Sequence, residues 1–205
     1  MKHNEQFNTI SHLVGAVLAL PAIIVLIVFA SLKGDPWRIV SFSIYGLSLF
    51  SLYLFSTLYH GARGRIRRFL QRLDHIAIYL LIAGSYTPFT LITLRGGWGW
   101  SLFGVVWGLA IIGIVLDSLH RKGPRNIQMA IYVSMGWIIV IAIYPLVQNL
   151  SGEGLFWLVA GGLFYTFGII FYVLDNRMRH AHGIWHLFVL AGSASHYFTM
   201  LFYLL

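Results

Sequence analysis

Seven long apolar runs, separated by short polar segments, dominate the pattern of this 205-residue chain. Each run is about 20 residues long, which is the helix length needed to cross about 30 Å of hydrocarbon. The predicted spans are residues 12–32, 38–60, 74–94, 98–118, 126–147, 154–174 and 182–204. A membrane β-barrel is not expected, because its strands would read as alternating segments of roughly ten residues. The pattern therefore predicts an all-α membrane protein in which residues 1–205 form one seven-helix transmembrane domain.

Composition agrees with this prediction and narrows the available chemistry. Hydrophobic residues make up 59% of the chain, against about 45–50% in soluble domains. The first apolar run is too long and too weakly flanked for a cleaved signal peptide, so a retained first helix is expected. The chain has no cysteine, which excludes disulfides and thiolate ligands. Histidine and carboxylate remain as the metal ligands to consider.

The distribution of basic residues predicts the orientation. A net charge of +8 would suggest a nucleic-acid partner in a soluble protein, but here the lysines and arginines fall between apolar runs, and no nucleic-acid partner is expected. Eleven of the 14 lie on the side of the amino terminus, namely Lys2, Arg63, Arg65, Arg67, Arg68, Arg72, Arg121, Lys122, Arg125, Arg177 and Arg179. Only Lys33, Arg38 and Arg95 lie on the other side. This asymmetry predicts a cytoplasmic amino terminus and an outside carboxyl terminus.

Four polar residues converge on the predicted cytoplasmic end of the bundle. His182 and His186 are one helical turn apart at the start of the last apolar run, so they face the same side of a helix. His60 ends the second run, and Asp74 opens the third. The predicted topology places all four at a similar membrane depth.

This grouping predicts a zinc site. Three neutral imidazoles with an open fourth position are typical of catalytic zinc, and Asp74 could orient or deprotonate a water molecule there. Ser56 lies one turn before His60 on the same face, roughly 6 Å deeper. His196 lies roughly 15 Å beyond His186 along the last helix, where it could line the same cavity without reaching the ion. The alternative that these histidines simply face headgroups or water stays open.

A pair of glycines in the fourth run, Gly104 and Gly108, has the spacing that permits close helix approach. Packing inside the bundle is expected here in preference to homodimerisation, and the oligomeric state is not predicted. A retinal photoreceptor is excluded, because none of the three lysines lies within an apolar run.

Several motifs in fixed order resemble the hemolysin III family, the bacterial branch of the progestin and adipoQ receptor group. They are Glu5-x-x-Asn8 followed by Ser11-His12, Ser56-x-x-x-His60, Arg72-Leu-Asp74, Gly84-Ser-Tyr-Thr-Pro88, and His182-x-x-x-His186 with His196 after it. Together they span nearly the whole chain.

The resemblance implies a multi-pass protein of the bacterial inner membrane with a cytoplasmic amino terminus. It implies zinc held by His60, His182 and His186, with Asp74 holding the zinc-bound water and Ser56 nearby. The wider superfamily includes alkaline ceramidases, so the implied chemistry is hydrolysis of a lipid amide or ester, with a membrane lipid as substrate or product. Two alternatives remain, namely a non-catalytic sensor or receptor with a structural zinc, and a pore-forming cytolysin.

Overall fold

A computed structural model describes the backbone of residues 3–119 and 125–205 and the side chains of residues 5–119 and 127–205. It contains seven helices long and apolar enough to cross a membrane, and the described residues form no strand. The all-α, seven-helix prediction is therefore confirmed. The helices are α1 (His3–Leu32), α2 (Pro36–Gly61), α3 (Gly64–Pro88), α4 (Gly97–Leu119), α5 (Arg125–Trp137), α6 (Gly152–Val173) and α7 (Ala181–Thr199). Three of them continue in other helical geometry: α3 as a π-helical turn (Phe89–Thr93), α5 through a 3-10 segment (Ile138–Ala142) into Ile143–Asn149, and α7 as a π-helical turn (Met200–Leu204).

Two helices begin well before the predicted spans. α1 starts at His3 where the apolar pattern starts near residue 12, and α3 starts at Gly64 where the pattern starts at residue 74. An apolar window detects only the part of a helix that needs hydrocarbon, whereas helical hydrogen bonds continue equally well outside it. Asp74 consequently lies almost three turns inside α3. The polar residues near the amino terminus become part of a rigid helix.

Packing brings four helices to one site. α2 lies between α1 and α3, and α7 packs against both α6 and α1. Leu26, Phe42 and Tyr45 are almost completely buried in the resulting core. The start of α2 is fixed by Pro36 and by Asp35, whose side chain accepts a hydrogen bond from the Trp37 N–H at 2.9 Å. The ends of α1, α2, α3 and α7 that carry polar residues therefore meet at one end of the bundle.

The 3-10 segment in α5 is stabilised by a tyrosine from α3. The Tyr86 hydroxyl donates to the Gly136 carbonyl at 2.8 Å and accepts from the Ile139 N–H at 3.1 Å. A break in a helix frees backbone groups that hydrocarbon cannot satisfy, so a side chain from a neighbouring helix must do so. This irregular wall borders an internal cavity described below.

The expected internal packing of Gly104 and Gly108 is wrong. A Cβ atom added at either position would meet nothing within 4 Å among the described residues. Gly113 is a closely packed glycine of α4, where an added Cβ would lie 2.2 Å from Cε1 of Tyr79. The spacing of small residues indicates where helices can approach, but the rotation of α4 decides which glycine does so.

Replacing Gly113 by alanine is expected to destabilise the bundle. The new methyl group would overlap the Tyr79 ring, and forcing extra volume into a packed interior costs about 1–3 kcal/mol. Thermal unfolding of the purified protein in detergent would measure the loss. Gly104→Ala is the matched control and should be neutral or slightly stabilising, because alanine favours the helix by about 0.5–1 kcal/mol. Equal melting temperatures for the two variants would contradict this assignment of the helix contact.

Candidate metal centre

Three histidines from two helices meet at the polar end of the bundle. His60 lies in the last turn of α2, and His182 and His186 lie in the first two turns of α7. Their ring centroids form a nearly equilateral triangle with sides of 5.0, 5.1 and 4.8 Å. One ring nitrogen from each lies within 4.8 Å of the other two. These three side chains could therefore hold a metal ion.

The His60 ring is oriented by a carboxylate from α1. Its Nδ1 lies 2.7 Å from Oε2 of Glu5, while the other Glu5 oxygen accepts a hydrogen bond from Arg67 at 2.5 Å. A carboxylate paired in this way accepts hydrogen bonds, so Nδ1 of His60 carries the hydrogen. In the neutral ring, Nε2 then presents its lone pair towards the other two histidines.

The His186 ring is oriented by Asn8 and Ser11 of α1. Its Nδ1 lies 3.2 Å from the carbonyl oxygen of Asn8 and 3.0 Å from the Ser11 hydroxyl. A carbonyl can only accept, so Nδ1 again carries the hydrogen and Nε2 the lone pair. Nε2 of His186 is buried and has no hydrogen-bond partner in the described part of the chain. This Nε2 is oriented by the groups that contact Nδ1, and it could bind a metal ion.

His182 completes the triangle at its more exposed side. Its Nε2 lies 3.2 Å from Nε2 of His60, and its Nδ1 lies 3.5 Å from Oδ2 of Asp175. The neighbouring carboxylate favours hydrogen on Nδ1, as in His60. Two nitrogen lone pairs facing each other at this distance repel unless a proton or a cation lies between them. Either a shared hydrogen or a cation between the Nε2 atoms of His60 and His182 would remove this repulsion.

Asp74 and Ser56 lie beside this triangle. Asp74 is 7% exposed and close enough to His60 and Ser56 to interact with both. Ser56 is buried one turn before His60, and its hydroxyl lies within hydrogen-bonding reach of Asp74. The group of close donor atoms contains the three histidines and no carboxylate of the described chain.

A cavity of about 220 Å³ extends from this end of the bundle into its interior. Asp74 and His12 border the cavity together with His196, and most other lining residues are apolar. Nε2 of His196 lies 3.3 Å from the Leu158 carbonyl oxygen. His196 therefore lines the cavity and stands apart from the three clustered histidines.

Four residues of α1 surround the site, although the sequence analysis gave them no role. Glu5, Asn8 and Ser11 contact the rings of His60 and His186 as described, and His12 stacks on His186 with 3.5 Å between centroids. Their signal in the sequence is a spacing of three to four residues, which places them along one side of a helix. That pattern indicates a polar face but not what the face touches.

Comparison with known proteins supports the family resemblance, and the matches extend over nearly the whole chain. A family model described as "Haemolysin-III related" matches residues 1–197. The chain is 48% identical to Hemolysin-3 of Bacillus cereus over 98% of its own length and 92% of that protein. It is 45% identical to the Hemolysin-3 homolog of Bacillus subtilis (strain 168), over 97% of this chain and 93% of that protein. A human relative, the Monocyte to macrophage differentiation factor, is 28% identical over 92% of this chain and 81% of its own. With seven apolar helices and bacterial relatives of this kind, the protein is a multi-pass membrane protein, as expected for a bacterial cell membrane. The chain belongs to the haemolysin-III-related family.

Proposed function

We propose that this protein is a zinc-dependent hydrolase of a membrane-lipid amide or ester. The observation that carries the proposal is the group of three converging histidine nitrogens, with no further protein ligand among the described residues. Structural zinc sites usually have four protein ligands, whereas catalytic sites use three and keep one position open. The sequence resembles the hemolysin III family, and the alkaline ceramidases of the wider superfamily suggest the reaction class.

The spacing of the donor atoms fits zinc. Zinc binds imidazole nitrogens at about 2.0–2.1 Å in tetrahedral geometry, so two of its nitrogen ligands are about 3.3–3.4 Å apart. The Nε2 atoms of His60 and His182 are 3.2 Å apart. The unpartnered Nε2 of His186 supplies the third donor. Oxygen-rich sites for magnesium or calcium differ in donor type, because those ions select carboxylates and carbonyls.

Asp74 and Ser56, which lie beside the histidines, would have different roles in hydrolysis. When bound, zinc supplies a Lewis acid that polarises a carbonyl group and makes hydroxide available near neutral pH. In our proposal, Asp74 accepts a proton from the attacking water and returns it to the leaving group, as a general base and then a general acid. The buried Ser56 hydroxyl, which lies beside Asp74, donates a hydrogen bond to the substrate carbonyl oxygen, where negative charge develops.

The cavity supports a lipid as the substrate. Most residues that line the cavity are apolar. An acyl chain could pack against them, between the few polar groups, which include Asp74. Val140 of the 3-10 segment and Val159 of α6 both line it, and each is 48% exposed. We propose that an acyl chain enters from the bilayer between α5 and α6. The predicted orientation of the protein places the histidines at the cytoplasmic end of the bundle, so the polar part of the lipid would face the cytoplasm.

Fatty-acid release by the purified, zinc-loaded protein tests this function. The protein in lipid nanodiscs would be incubated with a panel containing a ceramide, an N-acyl amino acid and a phospholipid, and products would be quantified by mass spectrometry. We expect release from at least one member and none after removal of zinc by a chelator. Stoichiometric zinc without any product would favour a sensor with structural zinc. Dye release from liposomes at low protein concentration would favour the pore.

Replacing Glu5 by glutamine is expected to weaken zinc binding by about 10- to 100-fold. This is the usual cost of losing an outer-shell partner of a metal-binding histidine. Glutamine has a similar shape but lacks the charge that orients His60. Competition with a fluorescent chelator would measure the dissociation constant. Glu153→Gln is the matched control, since Glu153 accepts a hydrogen bond from Tyr203 at the other end of the bundle. An unchanged constant for Glu5→Gln would refute this second-shell role.

A further inference from the structure

We propose that His12 binds the amide N–H of the substrate and thereby selects lipid amides over lipid esters. The proposal rests on the proposed function, because it names the substrate class of the same site. It starts from a fourth buried histidine that the zinc chemistry does not use. His12 is 1% exposed and lies on α1, in contact with His186 of α7.

The stacking geometry prevents His12 from sharing the metal with His186. The two rings lie face to face with centroids 3.5 Å apart and planes within 10° of each other. His186 would hold a metal ion through its Nε2 lone pair, which projects in the plane of its own ring. Every atom of the His12 ring is roughly 3.5 Å from the same plane, well beyond the zinc–nitrogen bond length of about 2.0–2.1 Å. His12 is thus held next to the metal centre without being a ligand.

The polar atoms of His12 have no partner within the described chain. Both Nδ1 and Nε2 are buried, and neither makes a hydrogen bond. A buried polar group without a partner destabilises the fold, and packing alone does not explain why His12 is kept here. If His12 only packed against the face of His186 and edge-on to Tyr53, a phenylalanine at this position would serve equally well. The unsatisfied nitrogens indicate a ligand that binds there.

The location and hydrogen-bonding capacity of His12 identify that ligand. His12 and Asp74 border the same cavity, so a carbonyl group undergoing hydrolysis would lie between them. A neutral imidazole offers one acceptor and one donor. The group next to the carbonyl is an N–H in an amide and an oxygen without hydrogen in an ester. Only the amide can donate to the acceptor nitrogen of His12, which gives the side chain a means of discrimination.

Two zinc-binding probes that differ in this N–H group test the proposal. N-hydroxydodecanamide carries the N–H beside its carbonyl, and dodecanoic acid does not. Dissociation constants would be measured by calorimetry for wild type, His12→Phe and His12→Gln in nanodiscs, with the zinc content of each protein determined first. We expect His12→Phe to keep its zinc, to bind N-hydroxydodecanamide about tenfold or more weakly, and to bind dodecanoic acid as wild type does. His12→Gln should recover part of the loss, because its amide oxygen can accept the same hydrogen bond.

The other outcomes separate this proposal from the proposed function. Tyr53→Phe is the matched control, and it should leave both constants unchanged because it keeps the ring beside His12. Equal weakening of both probes in His12→Phe, or no weakening of either, would overturn the role of His12 even if the protein hydrolyses lipids. A selective, His12-dependent preference for N-hydroxydodecanamide in a protein that hydrolyses no lipid would support the amide-binding site while refuting the hydrolase.

Discussion

Substitution of His60 by glutamine is expected to leave the purified protein with almost no zinc and no hydrolase activity. His60 is one of three converging donors, and its Nε2 lies 3.2 Å from that of His182. Loss of a direct ligand should exceed the 10- to 100-fold weakening that follows loss of an outer-shell partner. The two remaining donors, His182 and His186, both lie on α7, so α2 would no longer supply a donor to the ion. Zinc content per chain, measured by mass spectrometry of the metal after gel filtration, tests this directly.

The control for His60→Gln is the same change at His75. His75 lies on α3 near Asp117, with 3.7 Å between its Nδ1 and the carboxylate, and among the side chains that the structure describes it belongs to no group of three close donor atoms. His75→Gln should retain one zinc ion per chain. If His60→Gln also retained a full zinc ion, the histidine triangle would not be the metal centre. Circular dichroism of both variants would establish that the helices are intact.

Substitution of Asp74 by asparagine should remove activity while sparing the metal. We expect kcat to fall by about 10²- to 10⁴-fold, the usual contribution of a positioned acid–base group. Asparagine has nearly the same volume and can still form hydrogen bonds, but it cannot accept a proton from water. Because no carboxylate belongs to the group of three donors, zinc content should remain near that of wild type. Steady-state kinetics and metal analysis on the same preparation would measure both effects.

Asp117→Asn is the matched control for Asp74→Asn. Asp117 lies near the same end of the bundle and hydrogen-bonds Gln128, away from the three histidines. It should keep activity within about twofold of wild type, as for a substitution outside a site, because its carboxylate pairs with His75 and Gln128. Loss of zinc in Asp74→Asn would instead make Asp74 a direct ligand. Full activity in that variant would exclude it as the general base.

The sequence predicted the helices well and their polar extensions poorly. Seven apolar runs required seven crossings, because each run matches the thickness of hydrocarbon. The early starts of α1 at His3 and of α3 at Gly64 escaped detection, since charged turns leave no signal in an apolar window. The same limit explains Gly104 and Gly108, whose spacing permits close packing but cannot report which way α4 faces.

The sequence indicated that three of the histidines lie at one end of the bundle, but it did not indicate what surrounds them. His182 and His186 share a helix face by spacing alone, and the boundary position of His60 placed it at the same end. Nothing local linked them to α1. Glu5 is 55 residues from His60 in the chain, and Asn8 is 178 residues from His186.

By itself, the sequence determined the membrane class, the number of crossings and the histidines available to a metal, because hydrocarbon thickness and helical period act over about 20 residues. Only the tertiary structure decided which nitrogen of each ring faces the other histidines. It also decided that residues of α1 contact the rings of His60 and His186, and that His12 stacks on His186. Those features depend on the rotation and depth of helices that are distant in sequence. Packing between side chains sets both, and no local pattern encodes them.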